Sequence, residues 1–482
     1  MCFKTYNKNT RSYKKEGKIM KKHLLPLCSA VLIASLTLSG CGGGVKKVNS
    51  DDDSVSVTIS YWPNSETDAE RHALYDTYLD QMKKLYPNIT IIPDEEGYGI
   101  DNFMVLAATN QLPNVYRKPF TEPQQIINAG YALDITKAVK EYGYDKGINP
   151  DIMKISMKDG KYYGVPYSGY MIGMAYNVNV FKKAGLVNSD GSLKLPTTYD
   201  ELVETAKIIK EKTGIPGYAI QTANKEGGWA FMNIAWSYGV KFMEQKPDGK
   251  WVSTFDTPEA VAALEYIKDL KWKHGVFASN VLIDSNELQK LLATDRIGMC
   301  ILAESAPASI VTKYKTDKDA IAYGPVMKGP SAQVSQVGGD IYMFSNNTDE
   351  KQVDAAFKWF EFLGITPNVG KDYETKLEET LKADIAADKL VVPKSLKLWV
   401  NKERTSIDDA LYKKYSNANP LYWTNAYPDT VKIQQEEPVC AQNLYALLST
   451  AMQNVLTDPN ADCAKIIHDA SETFQKDYLD KQ

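Results

Sequence analysis

The stretch that decides the fold runs from Lys161 to Tyr218 and begins KYYGVPYSGYMIGMAYNVNVFKKAGL (161–186). This first part is apolar and rich in tyrosine, and it is interrupted by small or bend-forming residues, namely Gly164, Pro166, Gly169 and Gly173. Small residues permit bending, and aromatic rings can line a wall. The pattern therefore suits a chain that passes through a cleft between two lobes. An ordinary strand and loop inside one domain is the alternative.

The second part of the stretch, PTTYDELVETAKIIKEKTGIPGY (196–218), predicts a helix. Thr198 and Glu201 have the spacing of a capping box, and Gly214 supplies a stop. Between them, apolar residues recur at helical spacing on one face (Leu202, Ala206 and Ile209).

Length and charge narrow the function classes. A chain of 482 residues is too long for one ordinary core, so two domains are expected. The net charge is −4, although residues 1–40 alone carry seven Lys and one Arg against one Glu. Without that segment the chain is more acidic still, which argues against a nucleic-acid partner because no basic surface would offset phosphate charge.

The N-terminus has the organisation of a targeting segment. A basic region with Lys18, Lys21 and Lys22 precedes the apolar run 24–38, which is too short to span a bilayer comfortably. Leu38-Ser39-Gly40-Cys41 follows and resembles a bacterial lipobox, in which the Cys thiol is acylated. We therefore predict a signal peptide (1–40), a lipid such as palmitate on Cys41 and a flexible tether (41–54). The predicted lipid would anchor the protein to the outer face of the membrane of a Gram-positive cell. A plain signal peptide, with no lipid on the cysteine, is the alternative.

Cysteine and histidine usage provides no metal or redox motif. Beyond Cys41 there are Cys300, Cys440 and Cys463, with no CxxC pair. Cys440 and Cys463 can form a disulfide in an oxidising compartment, and two free buried thiols are an equal alternative. The histidines are far apart in sequence, so we predict no metal, no cofactor and no histidine-based catalytic triad.

The region after the tether predicts a βαβ unit. Strands are expected at 55–62 and 89–92, around a helix that faces the core with Leu74, Tyr78, Met82 and Leu85. Ligands of open α/β sheets bind beyond the carboxyl ends of strands. Candidate binding residues are therefore those after the first strand and after the short strand at 114–117: Trp62, Asn64, Glu66 and Arg117.

The second half predicts another α/β lobe. Trp229, Asn233 and Trp236 share one face of an aromatic helix, and the strand at 297–302 leads to Glu304. A return strand at 337–344 contains Gly338-Gly339-Asp340 and predicts a second glycine-containing crossing. Residues 365–435 have no clear periodicity, and two helices, near 440–456 and 463–478, end the chain.

These residues resemble the family 1 extracellular solute-binding proteins, the sugar receptors of ABC importers. The resemblance lies in the lipobox, in Gly164-Val165-Pro166-Tyr167 with the segments at 175–177 and 181–186, in 196–202, and in Gly338-Gly339 with the helix at 353–363. It implies an α/β type II fold with two lobes, each a mostly parallel sheet flanked by helices, and a multi-strand hinge. The lobes would be 55–166 with 338–395, and 167–337 with 396–482. A third crossing is expected near the end of 365–435.

The resemblance also implies a function and a site. A monomeric, non-enzymatic receptor would close on a carbohydrate, in particular an oligosaccharide, and deliver it to permease subunits. Carried over by position, the ligand-binding residues are Trp62, Asn64, Glu66, Arg117, Tyr167, Tyr170, Trp229, Asn233, Trp236, Glu304, Asp340 and Trp423. Residues 302–306 lack the aromatic residue that many relatives have there. Arg117 and Glu304 suggest a ligand with a carboxylate or an amino group.

Other functions remain open at this point. A receptor for another solute, such as a peptide, would need the same two lobes. A secreted carbohydrate-active enzyme would need two carboxylates in one cleft, for which Glu66, Glu304 and Asp340 are available. A sensory lipoprotein that presents its ligand to a membrane kinase is a third alternative.

Overall fold

The computed structural model describes residues 54–423 and 431–482. The predicted signal peptide, Cys41 and all but the last residue of the predicted tether lie outside the described residues. In the described part of the chain, no helix is both long enough and apolar enough to cross a membrane.

Strands and helices alternate through most of the described chain. The strands are β1 (Val55–Ile59), β2 (Ile89–Pro93), β3 (Val115–Pro119), β4 (Met157–Lys158), β5 (Lys161–Tyr162), β6 (Gly164–Asn177), β7 (Tyr218–Ala219), β8 (Met243–Gln245), β9 (Trp251–Ser253), β10 (Met299–Ala303), β11 (Ile321–Pro325), β12 (Gln333–Phe344) and β13 (Val431–Gln435). The helices are α1 (Ala69–Leu85), α2 (Ile100–Ala108), α3 (Pro123–Asn128), α4 (Thr136–Glu141), α5 (Tyr144–Gly147), α6 (Pro150–Met153), α7 (Val178–Lys183), α8 (Tyr199–Thr213), α9 (Glu226–Tyr238), α10 (Pro258–Trp272), α11 (Ser285–Ala293), α12 (Ala306–Tyr314), α13 (Glu350–Phe362), α14 (Tyr373–Ala386), α15 (Lys402–Tyr415), α16 (Ala441–Thr457) and α17 (Cys463–Asp477).

The long strands β6 and β12 connect the two ends of one sheet, whose order is β2-β1-β3-β12-β6-β10-β7. β1 pairs with β2 and β3 in parallel, and β7 pairs with β10 in parallel. β6 is antiparallel to β12 over 164–170 and antiparallel to β10 and β11 over 172–177. The tyrosine-rich stretch is therefore one continuous strand that leaves one group of strands and enters the other.

Two hydrophobic cores divide at these crossing strands. Met171 packs in the core that contains β1 and α13, called the first core below. Ile172 packs in the core that contains α8, α10 and α16, called the second core. On β12 the same division falls between Val334 and Val337. Each crossing strand thus changes core within a few residues, which is the backbone arrangement of a hinge between two lobes.

Helix α8 follows the sequence prediction closely. The hydroxyl of Thr198 accepts the Glu201 N–H at 3.2 Å, and Gly214 ends the helix in the left-handed region with φ 71°. The Glu201 carboxylate accepts from the N–H and hydroxyl of Thr197, both at 2.7 Å, so the reciprocal half of the capping box is shifted by one residue.

Helix α1 packs through a face that only partly matches the predicted one. Met82 is buried and Tyr78 packs against the core that contains β1 and α13, as predicted, but Leu74 and Leu85 are 46% and 62% exposed. Tyr75 and Leu79 pack against that core in their place. The helix is rotated because the ring of Tyr75 meets Trp62 and Trp359 edge-on, at centroid distances of 5.0 and 6.3 Å.

Residues 365–423, which have no clear periodicity in sequence, contain the helix pair α14 and α15. Leu381, Val391 and Leu411 form a small core of their own. The connection between the two helices contacts both lobes, since the Ser395 N–H donates to Glu304 at 2.9 Å and the Leu398 carbonyl accepts from the Asn149 N–H at 2.8 Å. The third crossing was expected near the end of 365–435, where β13 pairs with β12 in parallel over 333–337 and Val431 packs against both cores.

The three described cysteines are free and buried, so Cys440 and Cys463 do not form the disulfide that was one of two alternatives.

Candidate ligand-binding cleft

A polar cluster lies where the crossing strands leave the first core. The guanidinium of Arg117 on β3 pairs with the carboxylate of Asp340 on β12 at 2.7 Å. Ser168 on β6 donates its hydroxyl to the same carboxylate at 3.0 Å. The guanidinium carbon of Arg117 also lies 3.6 Å from the ring centroid of Tyr61, an aromatic residue that is 53% exposed. Three strands and the turn after β1 therefore contribute one side chain each.

The charge of Arg117 is already balanced within this cluster. Burial acts to lower the pKa of Arg117, but the hydrogen bond and charge of Asp340 outweigh it and raise the pKa above its usual value. Arg117 therefore remains a cation, and its nearest counter-ion belongs to the protein rather than to a ligand.

A second polar group adjoins the first through Tyr170 on β6. The carboxylate of Glu436 accepts from the Tyr445 hydroxyl at 2.8 Å, from the Gln336 amide at 3.0 Å and from the indole of Trp229. The pKa of Tyr170 is raised, first by burial and then by Glu436 and Asp340, while Arg117 lowers it. Tyr170 therefore lies within electrostatic reach of all three charged groups.

Gly338 makes room for the ring of Tyr170. A Cβ at position 338 would lie 2.4 Å from the Tyr170 hydroxyl oxygen, well inside contact distance. Glycine at this position of the second crossing strand lets the tyrosine lie flat across the hinge.

Asn233 is connected to the cleft through Gln336. Its side chain is fully buried, donates to the Gln336 side chain at 2.9 Å and accepts the Gln336 N–H at 2.9 Å. Gln336 in turn donates to Glu436. Asn233 is therefore a positioning residue for the group around Glu436.

Glu436 is a half-buried carboxyl without a cationic partner. Burial raises its pKa to about 7, with a smaller contribution from Asp340, although hydrogen bonds from Tyr445, Gln336 and Trp229 lower it. None of the ion pairs among residues 54–423 and 431–482 involves Glu436.

A cavity of about 350 Å³ continues from Tyr170 towards α12 and α15. Glu304 lines it and is 8% exposed, with its carboxylate held by the Ser395 N–H. Trp423 also lines it, stacked on Tyr323 at 5.1 Å, and its buried indole nitrogen has no hydrogen-bond partner in the described part of the chain. Ser305 also lines the cavity, so this wall contains no aromatic side chain from the run 302–306.

Several predicted site residues contact the protein interior instead. Trp62 is 4% exposed and stacks on Trp359 at 5.5 Å. Trp236 is 6% exposed, and its indole hydrogen-bonds to Glu437. Tyr167 stacks its ring on Tyr342 at 4.3 Å, but it is half-buried, lies within electrostatic reach of Arg117 and Asp340, and lines a cavity beside Ser168.

The turn after β1 uses its polar residues for local bonds. The Asn64 side chain accepts the N–H groups of Glu66 and Thr67, at 3.1 and 2.9 Å, and donates to Glu95 at 2.7 Å. Glu66 itself is exposed. The structure thus joins Arg117, Tyr170, Trp229 and Asp340, with Asn233 behind them, and extends towards Glu304 and Trp423.

Sequence reasoning missed five members of the site, which are Tyr61, Ser168, Gln336, Glu436 and Tyr445. Tyr61 and Ser168 each adjoin a residue that was selected, so a shift of one position along a strand would have found them. Glu436 lies next to the stretch without periodicity and is identified only by its contacts in the folded chain, with Tyr445 nine residues away and with Gln336 100 residues away.

Comparison with known proteins places the chain in a family. The family model of the bacterial extracellular solute-binding proteins matches residues 68–364, and this chain belongs to that family. It is 24% identical over 328 residues to YcjN of Escherichia coli (strain K12), whose name assigns it to an ABC transporter as a periplasmic-binding protein; the match covers 63% of this chain and 69% of YcjN.

A sugar-binding relative covers more of the chain. The melibiose/raffinose/stachyose-binding protein MelE of Bacillus subtilis (strain 168) is 25% identical over 374 residues, which are 76% of this chain and 83% of MelE. Maltose-bound MalE3 of T. maritima is similar in structure, with a TM-score of 0.62 and 19% identity over 87% of this chain and 99% of that one. The predicted family and the α/β two-lobe fold are thereby confirmed.

Glu436 makes a testable contribution to stability. Because its pKa is about 7 in the folded protein and near 4.5 when unfolded, the folded state binds the extra proton between these values. Its contribution is fully present below pH 4.5 and is lost as pH rises through 7. From pH 5 to pH 8 the free energy of unfolding of the parent should fall by on the order of 2 kcal/mol more than that of Glu436→Gln. Urea unfolding at several pH values measures this. The exposed Glu379→Gln should behave like the parent, and equal slopes for Glu436→Gln and the parent would refute the assignment.

Proposed function

We propose that this protein captures a carbohydrate, in particular an oligosaccharide, between its two lobes and delivers it to the permease subunits of an ABC importer. One observation supports this most strongly. Strands β3, β6 and β12 bring a hydrogen-bonded polar group, Arg117 with Asp340 and Ser168, close to the half-buried rings of Tyr170 and Trp229. Polar groups fixed beside aromatic faces suit a sugar, which has apolar C–H faces and a rim of hydroxyls.

The proposed mechanism is ligand-linked closure. Trp229 and Tyr170 stack on the sugar ring, while Asp340 and Glu436 accept hydrogen bonds from its hydroxyls and the buried Gln336 holds Glu436 in place. Bending at β6 and β12 brings the lobes together and expels water, so that each polar contact strengthens. A sugar that lacks a matched hydroxyl is rejected because a buried polar group would remain unpaired. The sequence predicts the lobes as 55–166 with 338–395 and 167–337 with 396–482, and we propose them with the boundaries moved to where the core changes, at 171/172 on β6 and between 334 and 337 on β12.

No catalytic role is proposed for the carboxylates of the cleft, and the protein acts as a monomer. The lipid on Cys41 holds it at the outer face of a Gram-positive cell membrane, with the tether 41–54 leading into the first strand. The lipobox-like sequence Leu38-Ser39-Gly40-Cys41 supports this anchor.

A thermal-shift screen tests the proposed function. The panel contains maltose, melibiose, raffinose and longer oligosaccharides, with di- and tripeptides as the competing class. A ligand present at 100 times its Kd adds about 2.7 kcal/mol to the free energy of unfolding, which is easily measured. At least one saccharide should raise the unfolding temperature in a saturable manner. Stabilisation by peptides and by no saccharide would overturn the proposal.

A further inference from the structure

The charges at the cleft are unequal in number. The group around Tyr170 contains one cation, Arg117, and two carboxyls, Asp340 and Glu436. Arg117 is paired with Asp340 at 2.7 Å, so these two balance each other. Two more buried carboxyls lie near, since Glu437 bonds to Trp236 and Glu304 lines the adjoining cavity, where the exposed Lys394 is the nearest cation. Acidic groups therefore outnumber basic ones here, and the surplus centres on Glu436, whose carboxyl a bound cation would ionise fully.

Among residues 54–423 and 431–482, the hydrogen-bond donors that hold Glu436 are all neutral. Three donors, from Tyr445, Gln336 and Trp229, converge on its carboxylate. Such bonds orient the carboxylate but do not neutralise it. A half-buried carboxylate without a counter-ion is unfavourable, and a cation supplied from outside removes that cost.

The surroundings favour a cation over a hydroxyl at this point. An ammonium that bonds to Glu436 would lie near the half-buried ring of Tyr170, and the face of an aromatic ring attracts cations. An ammonium also brings a full positive charge to the carboxylate, whereas a hydroxyl brings only a dipole. A carboxylate on the ligand would instead meet Asp340 and Glu436, and the single guanidinium already has a partner.

We propose that this cleft prefers saccharides with a free amino group, such as glucosamine oligomers, over neutral and uronate-bearing ones, and that Glu436 sets this preference. The inference rests on the proposed function and deepens it. Of the two charged ligands that the sequence suggests, the structure favours the amino sugar and disfavours the uronate.

Calorimetric titration at neutral pH with three ligands of matched length tests the preference. These are a glucosamine trimer, the corresponding neutral glucose trimer and a trimer that contains a uronate. The glucosamine trimer should bind at least tenfold more tightly than the neutral trimer, and the uronate trimer more weakly than both. In Glu436→Gln the ratio between the amino and neutral ligands should shrink at least fivefold, whereas Glu379→Gln, on the exposed face of α14, should keep it.

The outcomes separate the two proposals. Equal binding of the amino and neutral trimers, or tighter binding of the uronate, would overturn the amino-sugar preference and leave sugar binding intact. An unchanged ratio in Glu436→Gln would remove Glu436 as its cause. If no saccharide of the panel binds, the proposed function fails together with the inference. The parent protein alone decides the preference, so this part of the test is independent of how well the variant folds.

Discussion

Replacing Trp229 by alanine should weaken sugar binding by about 100-fold, the largest loss expected for any single side chain of the cleft. Trp229 is half-exposed at the start of α9, and its indole also donates to Glu436. The substitution removes the aromatic face on which the sugar stacks and one of the three donors that orient the carboxylate. A 100-fold change corresponds to about 2.7 kcal/mol, which is within the range of an aromatic residue at the centre of a binding site.

Calorimetry with the best ligand of the thermal-shift screen measures this loss. Trp251→Ala is the matched control, because Trp251 is also a half-exposed tryptophan that packs on the second core, but it lies in the β8–β9 hairpin. Both variants should lose a similar, modest amount of stability, and only Trp229→Ala should lose affinity. Trp229→Phe should fall between the parent and Trp229→Ala, because it keeps a ring and loses the N–H donor. An affinity within threefold of the parent in Trp229→Ala would exclude Trp229 from the site.

The parts of the fold that could be predicted are those with local causes. The small residues of the sequence predict the crossing strand β6. Thr198 and Gly214 predict α8, because each bonds or bends the backbone at the end of the helix where it lies. These features depend only on the backbone near each residue, so they can be interpreted without knowledge of the rest of the structure.

The orientation of side chains at the end of β1 could not be predicted. The regular alternation of apolar residues over 55–62 predicts a strand that ends at Trp62, which makes Trp62 a candidate site residue. The strand ends at Ile59, however, and Tyr61 adopts a left-handed conformation with φ 61°. This turn directs Trp62 into the core and leaves Tyr61 exposed over Arg117. A positive φ at a tyrosine is uncommon and has no signature in the sequence.

The polar group around Glu436 depends on contacts that are distant in sequence. Gln336 and Tyr445 form a hydrogen bond although they are 109 residues apart in sequence. Asn233 and Gln336 form another at a separation of 103 residues. No periodicity or spacing encodes such a network, since each member is an ordinary polar residue until the lobes assemble. The carboxyl that determines charge preference in our proposal is therefore visible only in the folded chain.

Gly228→Ala should lower the free energy of unfolding by about 3 kcal/mol, although alanine normally stabilises a helix relative to glycine by about 0.5–1 kcal/mol. The reason is the close approach of α9 to α16. A Cβ at position 228 would lie 2.1 Å from the Tyr445 carbonyl oxygen and 2.5 Å from its Cα. These are backbone atoms of a packed helix, so the contact cannot be relieved by a side-chain rotation, and the overpacking outweighs the helix propensity.

The same substitution should also lower the sugar affinity of the cleft, because α9 carries Trp229 and Asn233 while α16 carries Tyr445. Moving the helices apart breaks the hydrogen bond from the Gly228 N–H to the Ser449 hydroxyl, now 2.7 Å, and separates two of the donors that hold Glu436. Urea unfolding gives the stability, and calorimetry gives the sugar affinity. Gly370→Ala is the control, since a Cβ there meets no atom within 4 Å, and it should be neutral in both measurements. A Gly228→Ala protein as stable as the parent would mean that α9 and α16 can separate without loss, and the rigid support inferred for Glu436 would then be wrong.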